Sequence, residues 1–395
     1  MSCFVYLFMR KRRLDLFKGF FQSERAGGFV LIGCTVISLI IANTGLAESY
    51  QNFWLSYIDL SFFTIQLNYS IEHWVNDGLM TVFFLLVGLE IERELYVGEL
   101  ATFKNALLPI IAATGGLLLP AFIHLIFNYD SATQAGFGIP MATDIAFALG
   151  MLSLAGKRIP VSLKIFLTAL AIIDDLGAIT VIALFYTKGF LASYFFAALS
   201  IFLILFIAGK RKVYGLPLYI IGGIVMWYCM LKSGVHATIS GILLAFAIPF
   251  HKEYHKNPSY KLQKFLHFPV AFLILPIFSL TNTAITFPQN FLASLSTNNS
   301  IGIMLGLIIG KMAGIFLFSY LGVKAMLANL PSDLKWIHIF GVSILGGIGF
   351  TMSIFITNLA FNNPEIIVAS KFSILIASFC AAILGIYILK VKAFR

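Results

Sequence analysis

Residues 160–186 read PVSLKIFLTALAIIDDLGAITVIALFY. About 20 predominantly apolar residues suffice to cross a bilayer, and this run is longer than that. It nevertheless carries two adjacent carboxylates, Asp174 and Asp175, at its middle. An ionisable side chain at the membrane centre costs roughly 2.5–3.5 kcal/mol on insertion scales, so each one is a functional hypothesis by default. The rest of the chain is of the same kind. Of its 395 residues 59% are hydrophobic and 11% charged, against ordinary values of about 45–50% and about 25%. With 40 phenylalanines and a mean hydropathy of +0.93, it has too few polar groups to cover a water-exposed surface. These figures exclude a cytosolic enzyme, a disordered chain and a secreted disulfide scaffold. Cys3, Cys34, Cys229 and Cys380 are scattered without CxxC or metal-ligand spacing. Residues 1–9 are apolar, but the basic cluster follows them, the reverse of signal-peptide order; Met9 is an alternative start.

Twelve stretches read as spans: 27–46, 74–94, 105–127, 137–155, 160–186, 190–209, 214–231, 233–250, 266–286, 301–323, 337–360 and 366–389. The Lys and Arg positions test this division independently. All 27 lie in the two tails or the even-numbered loops except Lys188, Lys232, Lys311 and Lys371. The positive-inside bias then puts both termini in the cytoplasm, and a wrong span count would scramble the alternation. The expected organisation is a cytoplasmic tail over 1–26, one twelve-helix transporter domain over 27–389 and a short cytoplasmic tail over 390–395. The net charge of +10 is dispersed through short loops, which argues against nucleic acid as a partner. The longest outer loop, 47–73, contains FWLSYIDLSFFTIQL. Its β-branched and aromatic residues fit a short β-hairpin, and an interfacial loop with aromatic anchors fits equally.

Asp144 in the fourth span and Lys311 in the tenth lie at the same depth as the Asp pair, while Asp77 sits near the outer end of the second. Two spans are also interrupted. The fourth contains Gly138-Ile139-Pro140 followed by Ala142-Thr143-Asp144, and the eleventh contains Gly346-Gly347-Ile348-Gly349. Proline removes a backbone donor and disfavours helix before it, and three glycines in four residues weaken a helix. Non-helical backbone at membrane depth is tolerated where it is buried in protein or lines a cavity. Close packing of small residues between helices is the plainer reading of the glycines; its coincidence with mid-membrane charges favours a site. Spans 3–5 and 10–12 are separated by an odd number of spans and therefore run in opposite directions. The expected fold is all-α, with inverted repeats whose interrupted helices, spans 4 and 11, cross at the midplane.

Interrupted helices leave positive and negative dipole ends facing each other. Asp144 is placed to offset the N-terminal ends, and Lys311 the C-terminal ends or an Asp. Neighbouring helical residues point about 100° apart, so Asp174 and Asp175 cannot both face one partner. One is free to bind a cation while the other pairs with Lys311, and the two titrate as a coupled unit. Oxygen ligands suit small hard cations such as Na+.

Six segments carry a resemblance: GIPMATDIAFA (138–148), LTALAIIDDLGAI (167–179), VFFLLVGLEIERE (82–94), LKSGVHATISG (231–241), IIGKMAGI (308–315) and GGIGFTMSIFI (346–356). Together they are similar to the bacterial NhaA-type Na+/H+ antiporter family, over most of the chain and in family order. The resemblance implies an antiporter of the bacterial inner membrane that exchanges cytoplasmic Na+ or Li+ for external H+ and serves sodium and pH homeostasis. It implies no cofactor and a homodimer joined through the 47–73 loop. It makes Asp174 and Asp175 the ion and proton ligands, with Asp175 principal. Thr143, Asp144 and Lys311 support them, and Asp77 is the acidic residue near the start of helix 2, in a cation-access or structural role. Glu90, Arg93 and Glu94 fall at the end of helix 2 associated with pH response, to which His267 also belongs. There is one departure. Similar antiporters carry an acid–histidine pair where this chain has Gln263 and Lys264, neither of which titrates between pH 5 and 8. His236 reads as structural rather than as a proton carrier.

An intramembrane aspartyl protease also uses two membrane carboxylates. Such enzymes place the second Asp after Gly-x-Gly, and no GxGD occurs here; Tyr129-Asp130 falls in an outer loop. A channel would favour repeated carbonyl loops or acidic rings. No P-loop is present, so no nucleotide is expected and the proton gradient must supply the energy.

Overall fold

Short polar residues mark where the helices begin. Asn257 accepts a hydrogen bond from the Tyr260 amide at 3.1 Å just before Pro258. Asn363 accepts one from the Glu365 amide at 2.9 Å just before Pro364. Thr297 and Ser70 cap two more helices in the same way. Each side chain satisfies one of the orphan donors of a first helical turn, and proline at the first position has no amide to leave unpaired.

The structure is a computed structural model that describes residues 26–63, 66–156, 159–187, 189–251 and 257–392. The N-terminal tail, residues 393–395, Cys3, Lys157, Arg158, Lys188, Lys252 and Lys256 lie outside the described residues. The elements run α1 (Ala26–Ile41), α2 (Ala47–Leu55), β1 (Tyr57–Asp59), β2 (Asn68–Ser70) and α3 (Ile71–Val97). Then come α4 (Phe103–Asn128), a 3₁₀ segment (Gln134–Met141), α5 (Ile145–Leu154), α6 (Val161–Phe185), α7 (Ala192–Lys210), α8 (Leu216–Ser233) and α9 (Ile239–Ala247). The chain ends with α10 (Pro258–Asn282), α11 (Phe291–Leu295), α12 (Asn298–Lys324), α13 (Trp336–Leu345), α14 (Phe350–Ala360) and α15 (Pro364–Val391). Eight of these helices are long and apolar enough to cross a membrane, or ten spans if each of two bent pairs counts as one. The chain is a mostly helical, polytopic membrane protein.

The bent pairs are the 3₁₀ segment with α5, at 40°, and α13 with α14, at 44°. The breaks fall at 142–144 and 346–349, the two places where proline and glycine weaken the helix. Around them α6 is the centre and α7 the rim: 67% of the apolar window of α6 is buried and 11% of that of α7. One hydrophobic core runs from Leu31 to Leu389. Within it α4 packs along α12 with Gly115 against Gly314. A Cβ at either position would overlap the other helix's backbone, so these glycines set how closely the backbone beside Lys311 approaches α4.

Three local readings differ from the sequence. The 47–73 segment is helical over Ala47–Leu55, and the strands are confined to 57–59 and 68–70, paired antiparallel with Ile58 opposite Tyr69. The first half lacks β-branched residues and buries Trp54 edge-on against Tyr50. The eighth apolar stretch is helical only over Ile239–Ala247, because Gly234 takes a left-handed conformation at φ +81° and ends α8. Finally, α10 begins at Pro258, eight residues before the apolar window at 266. Its first turns are amphipathic, with Lys261 and Lys264 exposed and Leu262 and Leu266 buried, so a hydropathy window misses them.

Candidate functional site

Breaking a helix frees backbone groups that must find partners in the membrane interior. Here the two breaks satisfy each other. The Asp144 amide donates to the Ile348 carbonyl at 2.7 Å, and the Ser353 hydroxyl donates to the Ile139 carbonyl at 2.7 Å, next to Pro140. The Thr143 hydroxyl lies 2.8 Å from the Gly346 carbonyl oxygen and 2.7 Å from Asp174 Oδ2. Gly347 packs so closely on α12 that a Cβ there would collide with the Leu307 carbonyl.

Asp144 is the N-cap of α5 and accepts from the Phe147 amide at 2.9 Å. Its other oxygen accepts from the Thr351 amide at 3.1 Å and the Thr351 hydroxyl at 2.5 Å, in the first turn of α14. One carboxylate therefore joins the N-terminal ends of two half-helices, whose partial positive charges it offsets. Thr351 is a residue that sequence reasoning missed. The available signal was a threonine just after a glycine-rich break, where a capping donor is useful.

On α6, Asp174 and Asp175 are fully buried and turn in different directions. Asp174 Oδ2 forms an ion pair with Lys311 Nζ, also fully buried. Lys311 opens the α-helical turns of α12 directly after a widened π turn over Gly306–Gly310, a feature common at functional sites. Asp174 Oδ1 and both oxygens of Asp175 receive no hydrogen bond from the described residues. Asp175 instead faces a cavity of about 60 Å3 whose wall also includes Asp144, Thr351, Glu90 and His267. A cavity of that size and polarity has room for a few waters. It lies toward the end of the bundle where α1 begins and α3 ends, and away from the hairpin.

The structure thus brings together Asp175, Asp144, Glu90 and His267 around one cavity, and Asp174, Thr143 and Lys311 immediately behind it. Asp77 lies elsewhere, in a π turn at the hairpin end, 3.2 Å from His73 Nε2. Arg93 donates to Glu94 at 2.9 Å beyond the cavity wall. His236 contacts the Tyr186 carbonyl at 3.1 Å, remote from the Asp pair.

A model of the family Na+/H+ antiporter 1 matches residues 18–389. The chain belongs to this family. Among the antiporter's relatives, the Na(+)/H(+) antiporter NhaA 1 of Flavobacterium johnsoniae is 56% identical over 95% of this chain and 96% of its own. The Na(+)/H(+) antiporter NhaA of Cytophaga hutchinsonii is 54% identical over 95% of each chain. That of Dechloromonas aromatica is 57% identical over 93% of this chain and 94% of its own. The family is one of transporters, not enzymes.

Gln263 and Lys264 of the antiporter sit at the cavity end on α10. Gln263 is buried and its side chain lies beside Glu90, while Lys264 points outward. Nearby Ser259 donates to the buried Glu92 at 2.7 Å, a contact with no sequence signal beyond its charge. The two positions are therefore not equivalent. Gln263→Glu sets a second carboxyl against Glu90, and the two then titrate as one unit. This variant is expected to steepen the pH dependence of exchange, and Lys264→His to leave it unchanged. Exchange rates between pH 6 and 9 in everted vesicles check both; a flat Gln263→Glu profile would show the position to be passive.

Proposed function

We propose that this antiporter moves cytoplasmic Na+, or Li+, outward in exchange for external H+, through alternating access at Asp174 and Asp175. The observation that carries the reading is the pair of Asp175 oxygens, buried without hydrogen-bond donors among the described residues and facing a cavity. A carboxylate in that state holds either a proton or a cation, and each must leave before the other binds. Asp175 is the principal ligand and Asp174 the second, steadied by Lys311 and Thr143. Waters in the cavity complete the coordination, since a small hard cation prefers several oxygens. A cation arriving through the cavity displaces the proton from the carboxyl to cavity water. The bent pairs then reorient the occupied site, and the proton gradient supplies the energy. No cofactor is required, because the ions are the cargo.

Further parts of the reading rest on the same supports. Twelve crossings follow if α1 and α9 are counted with the eight long helices and the two bent pairs. The opposed breaks fit inverted repeats, and the basic loops support a cytoplasmic position for both termini and for the cavity. The paired strands would then lie outside the cell, where a two-stranded edge is suited to joining a homodimer. Exchange driven by the proton gradient, in a chain whose relatives are bacterial, favours an inner-membrane location. Glu90, Arg93, Glu94 and His267 at the cavity end are the groups positioned to adjust activity to cytoplasmic pH, and Asp77 is structural beside His73.

The decisive experiment is Na+-induced proton release in everted vesicles or proteoliposomes, followed with a pH-sensitive dye. Because both ions use one site, the apparent Na+ constant is expected to weaken as pH falls, by about tenfold per unit for each proton displaced below the site's pKa. A pH-independent constant would exclude the shared site, and absence of Na+-dependent release would remove the exchange reading.

A further inference from the structure

The cavity that reaches Asp175 stops short of the hairpin end, and what stops it is layered. Leu275 and Met352 line the cavity on α10 and α14. One helical turn further on, Phe278 and Phe355 meet Phe84 of α3. The ring centroids of Phe84 and Phe278 lie 5.4 Å and 6.4 Å from that of Phe355, and all three side chains are buried. Beyond them the same three helices carry asparagines. Asn282 Nδ2 donates to Asn76 Oδ1 at 2.8 Å, and Asn358 Nδ2 donates to Asn282 Oδ1 at 2.6 Å. From a fourth helix, α15, Lys371 reaches the same Asn282 oxygen at 3.4 Å. Lys371 is buried and has no carboxylate within ion-pair distance among the described residues; the charge of Glu72 reaches it from further off.

A buried ammonium held by a neutral amide, with its counter-charge beyond ion-pair distance, is costly, and a hydrogen-bonded amide hub in an apolar bundle is strong only while every member is in place. Together they make a joint that is firm when closed and readily exchanged for water when open. We infer that the Phe84–Phe278–Phe355 layer and the Asn76–Asn282–Asn358–Lys371 hub are the gate closing the carboxylate site toward the hairpin end. The rings exclude water from the path. The hub clamps α3, α10, α14 and α15 around it, and opening requires Asn282 to release its partners. The gate spans both the bent element α14 and its neighbours, so reorientation of α14 about the break at 346–349 is coupled to the latch.

This inference rests on the alternating-access reading, and its test is separable from it. Cys3, Cys34, Cys229 and Cys380 are replaced by serine, and Leu275→Cys places one thiol on the cavity wall. A membrane-impermeant thiol reagent is then applied to either face of oriented vesicles. With the hub intact, labelling is expected to be fast from the cavity face and slow from the hairpin face. Asn282→Ala and Asn358→Ala, each made separately, are expected to raise labelling from the hairpin face at least tenfold while cavity-face labelling does not rise. Hairpin-face labelling at the parent rate in both variants overturns the gate, as does an equal rise from both faces, which marks general loosening. If Asn282→Ala fails to reach the membrane, Asn358→Ala decides alone. Na+-dependent proton release in the same vesicles tests the exchange reading: its absence in the parent removes that reading and leaves the labelling result in force.

Discussion

Asp175→Asn is expected to reduce Na+-dependent proton release to the background of empty vesicles, with normal insertion and a normal amount of protein in the membrane. Asparagine has nearly the shape of aspartate, and both Asp175 oxygens lack hydrogen-bond partners among the described residues, so the substitution breaks no hydrogen bond seen there. It removes two things at once. The amide cannot take up or release a proton, and it cannot offer a cation a negative charge to offset its lost hydration. The cavity, Asp144 and the Asp174–Lys311 pair all remain. Exchange at the wild-type rate in this variant would exclude Asp175 as the carrier. Residual Na+ binding without proton release, measured by calorimetry in detergent, would instead move the cation to Asp174 and leave Asp175 the proton alone.

Lys311→Ala is expected to lower the melting temperature in detergent more than it changes the preference between Na+ and Li+. Lys311 and Asp174 are both fully buried. Removing the ammonium leaves Asp174 with the Thr143 hydroxyl as its one remaining donor among the described residues. Breaking such a pair by deleting one partner costs roughly 3–5 kcal/mol, because the other charge stays buried and uncompensated. The size of the loss should depend on pH. A neutral carboxyl needs no counter-ion, so the gap between variant and wild type narrows as pH falls and Asp174 takes up a proton. Lys311→Arg keeps the charge but must fit a planar fork beside Gly116, where even a Cβ would come within 3.7 Å of the present ammonium nitrogen. It is expected to lose part of the stability and retain more activity than alanine. Equal melting temperatures for wild type and Lys311→Ala would show that the pair contributes nothing net.

What the sequence determined by itself follows from local chemistry. A run of apolar residues belongs in a membrane whatever surrounds it, so the class of protein was legible from composition and the long helices from hydropathy. Pro140 and Gly346, Gly347 and Gly349 weaken a helix wherever they stand, so the positions of the breaks were legible too. A carboxylate pair in the middle of such a run is costly in any fold, which singled out Asp174 and Asp175. Even their divergence follows from a rotation of about 100° between neighbours on a helix.

Only the tertiary structure decided which group meets which. Asp174 and Lys311 are 137 residues apart, and Asp144 and Thr351 are 207 apart. No local rule states that one carboxylate caps two half-helices from different parts of the chain. The early start of α10 at Pro258 was hidden for a related reason. Its first turns are amphipathic, and Gln263 is buried where α10 packs against α3. The amide hub was the least visible feature. Asn76, Asn282 and Asn358 carry no signal in their own helices, Lys371 stands out only as a basic residue within an apolar stretch, and the helices meet only after packing. A buried polar group acquires its meaning from the partner that satisfies it, and that partner is chosen by the fold.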